Sequence, residues 1–307
     1  MRAAVIDRYG GPDVLQVRDV DDPKVGPDYV LVRVHAASIN PVDYKIVAGN
    51  LDVAFPTVWP LIPGWDVAGE VLATGPAVRH VEVGQRVFGY ARKDLVGTGS
   101  WAEQVALPAR AVAPAPTELD AVAAACLPLA GMTAWQALVE DLEIGRSDTL
   151  LIHAATGGVG HLATQIATSR GARVIGTCSP PNHDFLRGLG GEPVAYGDGL
   201  AERVRALAPD GVDAVADFAG VLDTSDEVLR TPERVVSILD PRGAKERGGT
   251  YVFVRPDVGH LAALAGLADA GALTPHVQSV YDLDAVADAV TEASGGKVRG
   301  KVVLRLP

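Results

Sequence analysis

The stretch from Thr149 to Ser169, TLLIHAATGGVGHLATQIATS, decides the fold of this chain. An apolar run is followed by a glycine-rich turn, and apolar residues such as Leu162 and Ile166 then recur at helical spacing. A second apolar run, Arg173 to Thr177, follows at the distance expected for the next strand of a βαβ unit. The pattern predicts strand, tight turn, helix and strand, which is the start of a parallel sheet.

The glycine-rich turn is a candidate phosphate-binding site. Glycines let the backbone pass close to a pyrophosphate, and the free N–H groups at the start of a helix attract negative charge. The first glycine of the usual dinucleotide motif is replaced here by an alanine, so an ordinary strand-to-helix turn also fits these residues. The candidate cofactor-binding residues in the turn are Ala155, Thr156, Gly157, Gly158, Val159 and Gly160.

The end of the second strand bears on the choice of cofactor. A site for NAD usually places a carboxylate there, on the adenosine ribose. Cys178 and Ser179 occupy this position, so no acid would repel a 2′-phosphate, although Asp184 follows nearby. The nearest cations are His183 and Arg187, which suit the surface of a helix. No arginine clamp for the phosphate is evident. The pattern favours NADPH over NADH.

The composition excludes several classes of protein. With 307 residues, 48% of them hydrophobic, the chain suits an enzyme of two domains. A net charge of −11 without a basic stripe argues against a nucleic-acid partner. No leader is recognisable, and no apolar run approaches the roughly 20 residues that cross a bilayer. The two cysteines, Cys126 and Cys178, cannot form a cysteine zinc cluster, and they suit a reducing cytoplasm.

Short apolar runs separated by Gly and Pro fill the first hundred residues and predict a β-rich, barrel-like domain. Residues 38–49 interrupt this rhythm with a polar turn and a short helix. Asn40 and Asp43 either cap that helix, with Pro41 at its first position, or line a cleft, and the two roles are compatible. Further along, the charged and glycine-containing segment Asp240 to Gly249 is expected to be either a mobile loop over the cleft or a solvated connection.

Five motifs occur in a fixed order along the chain. They are NPVDYK at 40–45, PGWDVAG at 63–69, VGQRVFG at 83–89, GSWAE at 99–103 and GGVG at 157–160. Together they resemble the medium-chain dehydrogenase/reductase superfamily, and above all its zinc-free quinone oxidoreductase branch, to which zeta-crystallin belongs. The resemblance extends from one end of the chain to the other, so it is far more specific than any one glycine motif.

The resemblance implies an α/β fold with two domains. A Rossmann-type doubly wound parallel sheet would occupy residues 123–271, and a β-rich GroES-like barrel domain residues 1–122 and 272–307. It also implies a homodimer that pairs through the nucleotide domain. Zinc-dependent members carry Cys at the position of Asn40 and Gly-His-Glu at the positions of Gly64, Trp65 and Asp66, so this chain is expected to bind no metal.

The resemblance also implies roles for individual residues. Thr133 matches a threonine that lies against the nicotinamide, Tyr196 a tyrosine on the cofactor phosphates, and Lys301 a lysine near the cofactor. The simpler alternatives are a helix hydrogen bond, packing and a solvated lysine, respectively. Pro181 stands where relatives often carry a lysine for the 2′-phosphate. Candidate cofactor contacts at the carboxyl ends of other strands are Ser179, Asn182, Gly220, Phe253 and Val254.

The implied reaction is hydride transfer from NADPH to a quinone or another conjugated carbonyl compound, whose delocalised anion needs hydrogen-bond donors and no metal. Trp65 and Trp101 either form a wall for planar substrates or fill the core. An enoyl or alkenal reductase would share almost every residue, and a non-catalytic NADPH-binding protein is a third hypothesis. The candidate acceptor-site residues are Asn40, Tyr44, Lys45 and Thr133, with Tyr44 or solvent as proton donor and Asp43 orienting Lys45 or a cofactor hydroxyl.

Overall fold

The computed structural model describes all residues from Met1 to Pro307. They form two compact units. The first contains both ends of the chain, Met1–Leu129 and Pro275–Pro307, together with Pro256–Gly271. The second contains Ala130–Arg255 and Ala272–Thr274. The helix at Val258–Asp269 therefore groups with the first unit.

A seven-stranded sheet forms the centre of the first unit. Its order is β16-β17-β3-β5-β6-β9, and β8 also pairs with β3. Two small sheets, β1-β2 and β4-β7, complete the β structure. The strands are β1 Arg2–Val5, β2 Gln16–Asp19, β3 Tyr29–Ile39, β4 Thr57–Ile62, β5 Asp66–Thr74, β6 Arg86–Tyr90, β7 Val96–Thr98, β8 Gln104–Pro108, β9 Val112–Pro114, β16 Val277–Asp282 and β17 Lys301–Arg305.

The long strand β3 shows why this sheet forms. Val30, Val32 and Val34 alternate with more exposed residues and are fully buried, which is the period-two pattern of a strand with one face on the core. From Ala36 to Ile39 both faces of β3 are buried, and β17 pairs with this part of the strand. The helices of this unit are α1 Pro41–Val47, α2 Ala121–Ala124, α8 Val258–Asp269 and α9 Val286–Ser294.

The second unit contains a six-stranded parallel sheet in the order β12-β11-β10-β13-β14-β15. Counted along the chain, this order reverses after the first strand, β10, which is the doubly wound arrangement that binds dinucleotides. The predicted α/β fold class is confirmed. The strands are β10 Thr149–His153, β11 Arg173–Thr177, β12 Gly191–Val194, β13 Ala214–Asp217, β14 Val235–Ser237 and β15 Thr250–Tyr251.

The helices of the second unit cover its apolar sheet. Leu200 and Val204, one turn apart on α6, pack on a core that includes Leu151 of β10 and Val215 of β13. The helices are α3 Pro128–Trp135, which begins in the first unit, α4 Gly160–Ser169, α5 His183–Gly188, α6 Leu200–Leu207 and α7 Pro241–Glu246. A π-helical turn, Gln136–Asp141, follows α3 directly. None of the helices combines the length and apolar composition that crossing a membrane requires.

The prediction of a loop over Asp240 to Gly249 is wrong, because α7 lies there. The side chain of Asp240 accepts a hydrogen bond from the Gly243 N–H group, and Pro241 occupies the first helical position. Both are common features of helix starts. The charged residues that suggested a loop lie on the exposed surface of a short helix, where charge is compatible with helical structure.

Candidate active site

The turn between β10 and α4 is tightly constrained. Ala154 has a φ of +54°, which is rare for a residue with a Cβ, and its carbonyl accepts a 3.0 Å hydrogen bond from the Gly157 N–H group. A Cβ atom on Gly160 would lie 2.1 Å from that same carbonyl oxygen and 2.7 Å from the Ala155 Cα atom. Only glycine therefore permits this packing of α4 against the end of β10.

The same turn presents unused hydrogen-bond donors. The N–H groups of Gly158, Val159 and Gly160 donate no backbone hydrogen bond within the protein, as is usual where a helix begins. They stand at the N-terminus of the ten-residue helix α4, whose dipole attracts negative charge. The donors and the glycine packing fit the pyrophosphate of a dinucleotide.

The structure brings together three predicted cofactor residues from neighbouring turns. The Asn182 Nδ2 atom lies 3.4 Å from the Thr156 Oγ1 atom and 3.3 Å from the Ser179 Oγ atom. Asp184, the nearby acid, has a side chain that is 98% exposed and pairs with Arg187 at 2.7 Å. Thr156, Ser179 and Asn182 thus place three neutral hydrogen-bonding side chains together at the end of β11.

Tyr196 lies in the loop that follows β12, and its side chain is 65% exposed. One guanidinium group holds this loop, because Arg203 donates hydrogen bonds to the carbonyl oxygens of Ala195, Gly197 and Asp198. Sequence reasoning missed Arg203. Its position in the helical pattern of α6 is that of an ordinary surface arginine, so the sequence does not indicate its contacts with the loop.

The loop after β13 is organised by a buried acid. One carboxylate oxygen of Asp217 accepts hydrogen bonds from the N–H groups of Ala219, Gly220 and Val221, and the other accepts one from the Ser237 hydroxyl. Gly220, a predicted cofactor residue, has a φ of +77° in this loop. The Asp217 carboxylate therefore fixes the backbone at the carboxyl end of β13.

The predicted nicotinamide-binding segment is held by Gln136. Its Nε2 atom donates to the Arg255 carbonyl at 2.8 Å, and its Oε1 atom accepts from the Arg255 N–H group at 3.1 Å. Phe253 lies two residues before Arg255 in this segment, and its side chain is 53% exposed. Thr133, which lies one helical turn before Gln136, is buried. Gln136 was not predicted, because a glutamine in an apolar helix does not by itself indicate its partner.

A buried polar cluster lies where β3 ends and α1 begins in the first unit. Asp66, at the start of β5, is fully buried, and its Oδ2 atom accepts hydrogen bonds from the Ser38 Oγ atom at 2.6 Å and the Asn40 Nδ2 atom at 2.8 Å. Its Oδ1 atom accepts one from the Leu129 N–H group at 2.7 Å. Asp66 was not among the predicted site residues, yet it is the common partner of the cluster.

Lys301 completes this cluster. It opens β17, it is 3% exposed, and its ammonium group donates a hydrogen bond to the Asn40 Oδ1 atom. The Lys301 Nζ atom also lies 3.6 Å from the Asp66 Oδ2 atom. The structure thus places the lysine predicted near the cofactor in contact with the asparagine predicted near the acceptor, and the alternative of a solvated lysine is wrong.

Asp43 is the second buried acid of the cluster. Its Oδ2 atom accepts a 2.8 Å hydrogen bond from the Asn40 N–H group, which closes the first turn of α1, and its Oδ1 atom has no partner. Burial raises the pKa of the Asp43 carboxyl to about 7, with a further contribution from the charge of Asp66, while Asn40 and Lys301 oppose the rise. Its proposed role in orienting Lys45 stays a prediction.

The remaining predicted residues of the first unit lie near this cluster in sequence. Tyr44 and Lys45 are half-buried on α1, and burial together with the charge of Asp43 raises the pKa of the Tyr44 hydroxyl. Trp65 packs edge-to-face between Phe55 and Tyr90, with ring centroids 5.2 and 5.8 Å away.

Trp101 lies in the core of the first unit. Its side chain is fully buried, and a Cβ atom on Gly64 would lie 2.2 Å from its Cδ1 atom. The alternative of a core role therefore holds for Trp101.

Comparison with known proteins identifies the family. Residues 26–117 match the alcohol dehydrogenase GroES-like domain, and residues 189–304 match a family described as zinc-binding dehydrogenase. The NADPH-dependent alkenal/one oxidoreductase of Arabidopsis thaliana chloroplasts is 33% identical over 313 residues, which span 99% of this chain and 79% of that protein. The chain belongs to the medium-chain dehydrogenase/reductase superfamily.

Two further relatives support its place among the quinone oxidoreductases of this superfamily. The structure of the quinone oxidoreductase from Coxiella burnetii is 33% identical, covers 100% of this chain and 99% of that one, and superposes with a TM-score of 0.86. A chloroplastic quinone-oxidoreductase homolog from Spinacia oleracea is 38% identical over 190 residues, 60% of this chain and 57% of that protein. The predicted family is confirmed, and the chain is an oxidoreductase.

The family matched by residues 189–304 is described as zinc-binding, but the side chains of this chain do not fit a zinc ion. No group of three or more His, Cys, Asp or Glu side chains is placed to hold an ion. Asn40 and Trp65 stand at two positions where zinc-dependent members have ligands. The Lys301 ammonium, itself a cation, contacts Asn40 and Asp66 there. No step of the reaction is therefore assigned to a metal.

Proposed function

We propose that this medium-chain oxidoreductase uses NADPH to reduce quinones or other carbonyl compounds conjugated with a double bond. The observation that carries the proposal is the turn at Gly158–Gly160, with its free N–H groups, next to a β11 end that has Ser179 and Asn182 in place of a carboxylate. The Coxiella and Arabidopsis relatives, named for quinones and for alkenals and alkenones, support the same substrate class.

The residues that would hold the cofactor are those of the turn, with Thr133, Phe253 and Val254 on the nicotinamide. When bound, NADPH supplies a hydride. The acceptor oxygen gains negative charge, and the contribution of the protein is to offer donors to that oxygen: the Asn40 amide, the Tyr44 hydroxyl and the Lys45 ammonium. The raised pKa of Tyr44 keeps its hydroxyl protonated, so Tyr44 or solvent supplies the proton.

The first test is a substrate panel on the wild-type protein. We expect NADPH to be consumed with 9,10-phenanthrenequinone and 1,4-benzoquinone faster than with a 2-alkenal, and a metal chelator to leave the rates unchanged. The KM for NADH should be about tenfold higher than that for NADPH. NADH lacks the 2′-phosphate, so it cannot use the hydrogen bonds that the neutral groups at the end of β11 would make to that phosphate.

Each other outcome of the panel assigns a different function. A faster rate with the 2-alkenal would establish the second candidate, an enoyl or alkenal reductase, which the Arabidopsis relative favours. NADPH binding, measured by quenching of its fluorescence, without reduction of any acceptor would replace the enzyme hypothesis with a non-catalytic role.

We also propose that two copies of the chain pair along β15. This strand has a neighbour on one side only, so its other edge leaves backbone N–H and C=O groups free to pair. Large apolar side chains are exposed on and near this edge, among them Tyr251 at 39%, Phe253 at 53% and Leu239 at 49%. Such a symmetric edge-to-edge pairing would extend the sheet across both copies.

Light scattering coupled to size-exclusion chromatography tests this pairing. The wild type should have twice the chain mass of 31.9 kDa. Tyr251→Glu should give the monomer mass, because it places a charge in the pairing edge. Tyr196→Glu, at a more exposed tyrosine away from that edge, should keep the dimer mass. A monomeric wild type would refute the proposal.

A further inference from the structure

The Asn40 side-chain amide lies between two opposite charges. Its oxygen accepts a hydrogen bond from the Lys301 ammonium, and its nitrogen donates one to the Asp66 carboxylate at 2.8 Å. All three side chains are at most 3% exposed. Solvent therefore screens these charges weakly, and the interactions are stronger than they would be at the surface.

The two charges permit only one orientation of the amide. An ammonium group has donors and no acceptor, so it can bond only to the amide oxygen. An ionised carboxylate has acceptors and no donor, so it can bond only to the amide N–H group. Rotating the Asn40 amide by half a turn would place its N–H group against the Lys301 ammonium, so that two donors meet. It would also place its oxygen against the Asp66 carboxylate, so that two acceptors meet.

The charges also affect how strongly the Asn40 amide donates hydrogen bonds. The amide nitrogen carries two hydrogens, and Asp66 takes one of them. The cation at the amide oxygen polarises the amide, which strengthens its remaining N–H group as a donor. This donor is the one that the proposed function assigns to the acceptor oxygen.

We propose that Lys301 and Asp66 are positioning residues that act through Asn40, fixing its amide and strengthening the N–H group that it offers to the substrate. The ammonium of Lys301 is thus a built-in cation of this site. The inference rests on the proposed function for the identity of the substrate, but the coupling between the two charges can be measured without substrate.

The stability of four proteins tests the coupling: the wild type, Lys301→Met, Asp66→Asn and the double variant. Lys301→Met should lower the Tm, because it leaves the buried Asp66 carboxylate without a counter-charge. The double variant removes that charge too, so its Tm should lie above that of Lys301→Met. Lys297→Met, an exposed lysine four residues earlier, is the matched control and should leave the Tm unchanged. Effects on Tm that simply add would refute the charge pairing.

Steady-state kinetics with NADPH and a quinone separate positioning from a merely structural role. Lys301→Met should lower kcat by about 100-fold, the cost of losing one oriented donor, while KM for NADPH stays within about twofold. The double variant should remain as slow although its Tm recovers. A kcat that recovers together with the Tm would show that the pair serves only stability.

A second cycle tests whether Lys301 acts through Asn40. Asn40→Ala should itself lower kcat, and adding Lys301→Met to it should lower kcat no further, because the amide through which Lys301 acts is already gone. Additive losses would overturn the proposal. If the wild type reduces no acceptor, the proposed function fails, and the stability cycle alone then decides whether the charges are coupled.

Discussion

Gly160→Ala is expected to weaken NADPH binding by at least about 100-fold. The added Cβ atom would lie 2.1 Å from the Ala154 carbonyl oxygen, which is backbone and cannot move aside as a side chain would. The turn must open, and the N–H groups of Gly158 to Gly160 lose their alignment. Losing two hydrogen bonds to a charged phosphate, at about 1.5 to 3 kcal/mol each, accounts for this factor.

Fluorescence quenching of NADPH measures the affinity, and circular dichroism checks that the variant is folded. Gly188→Ala is the matched control, since it lies in the same unit and a Cβ atom there would meet no atom within 4 Å. It should bind NADPH as the wild type does. A folded Gly160→Ala protein with affinity within about twofold of the wild type would contradict the assignment of this turn to the cofactor.

Asp43→Asn is expected to make the protein more stable than the wild type at pH 8, with little difference at pH 4. The folded wild type holds a proton on Asp43 up to a pKa of about 7, whereas the unfolded chain releases it near 3.9. Between these values the folded state binds more protons, so the wild type loses stability as the pH rises. Three pKa units correspond to a loss on the order of 4 kcal/mol.

The charges that face Asp43 are those of Asp66 and Lys301, which both proteins share, and the half-buried Tyr44 hydroxyl follows it on α1. Asparagine keeps an oxygen to accept the Asn40 N–H group and does not titrate. Urea unfolding at a series of pH values measures the difference in free energy, and Asp198→Asn on the exposed surface serves as control. A difference that stays constant from pH 4 to pH 8 would refute a protonated buried Asp43.

Much of the second unit could be predicted because its signals are local. The apolar runs of β10 and β11, the glycine turn between them and the spacing of Leu162 and Ile166 all lie within thirty residues. The start of β12 is harder to predict, because the strand opens at Gly191 and glycine discourages a strand prediction. Local sequence patterns therefore predict which strands and helices exist better than they predict the residues at which these begin and end.

The polar cluster of the first unit could be predicted only in part. Asn40 and Asp43 stood out because they interrupt a β pattern, and the family resemblance pointed to Lys301. The contact between Asn40 and Lys301 joins residues 261 positions apart, and sequence carries no distance over that separation. Asp66 was missed for the same reason, because its role depends on partners from β3, β17 and the start of α3.

The strand β17 has a consequence for how the chain folds during synthesis. It pairs between β16 and β3, so the central sheet of the first unit joins strands that flank the whole second unit in the chain. The second unit uses mainly neighbouring segments and can fold as they emerge, whereas the sheet of the first unit must wait for β17. Until Lys301 arrives, Asp66 and Asn40 lack their cation. The polar cluster thus forms only after the whole parallel sheet of the second unit has been synthesised.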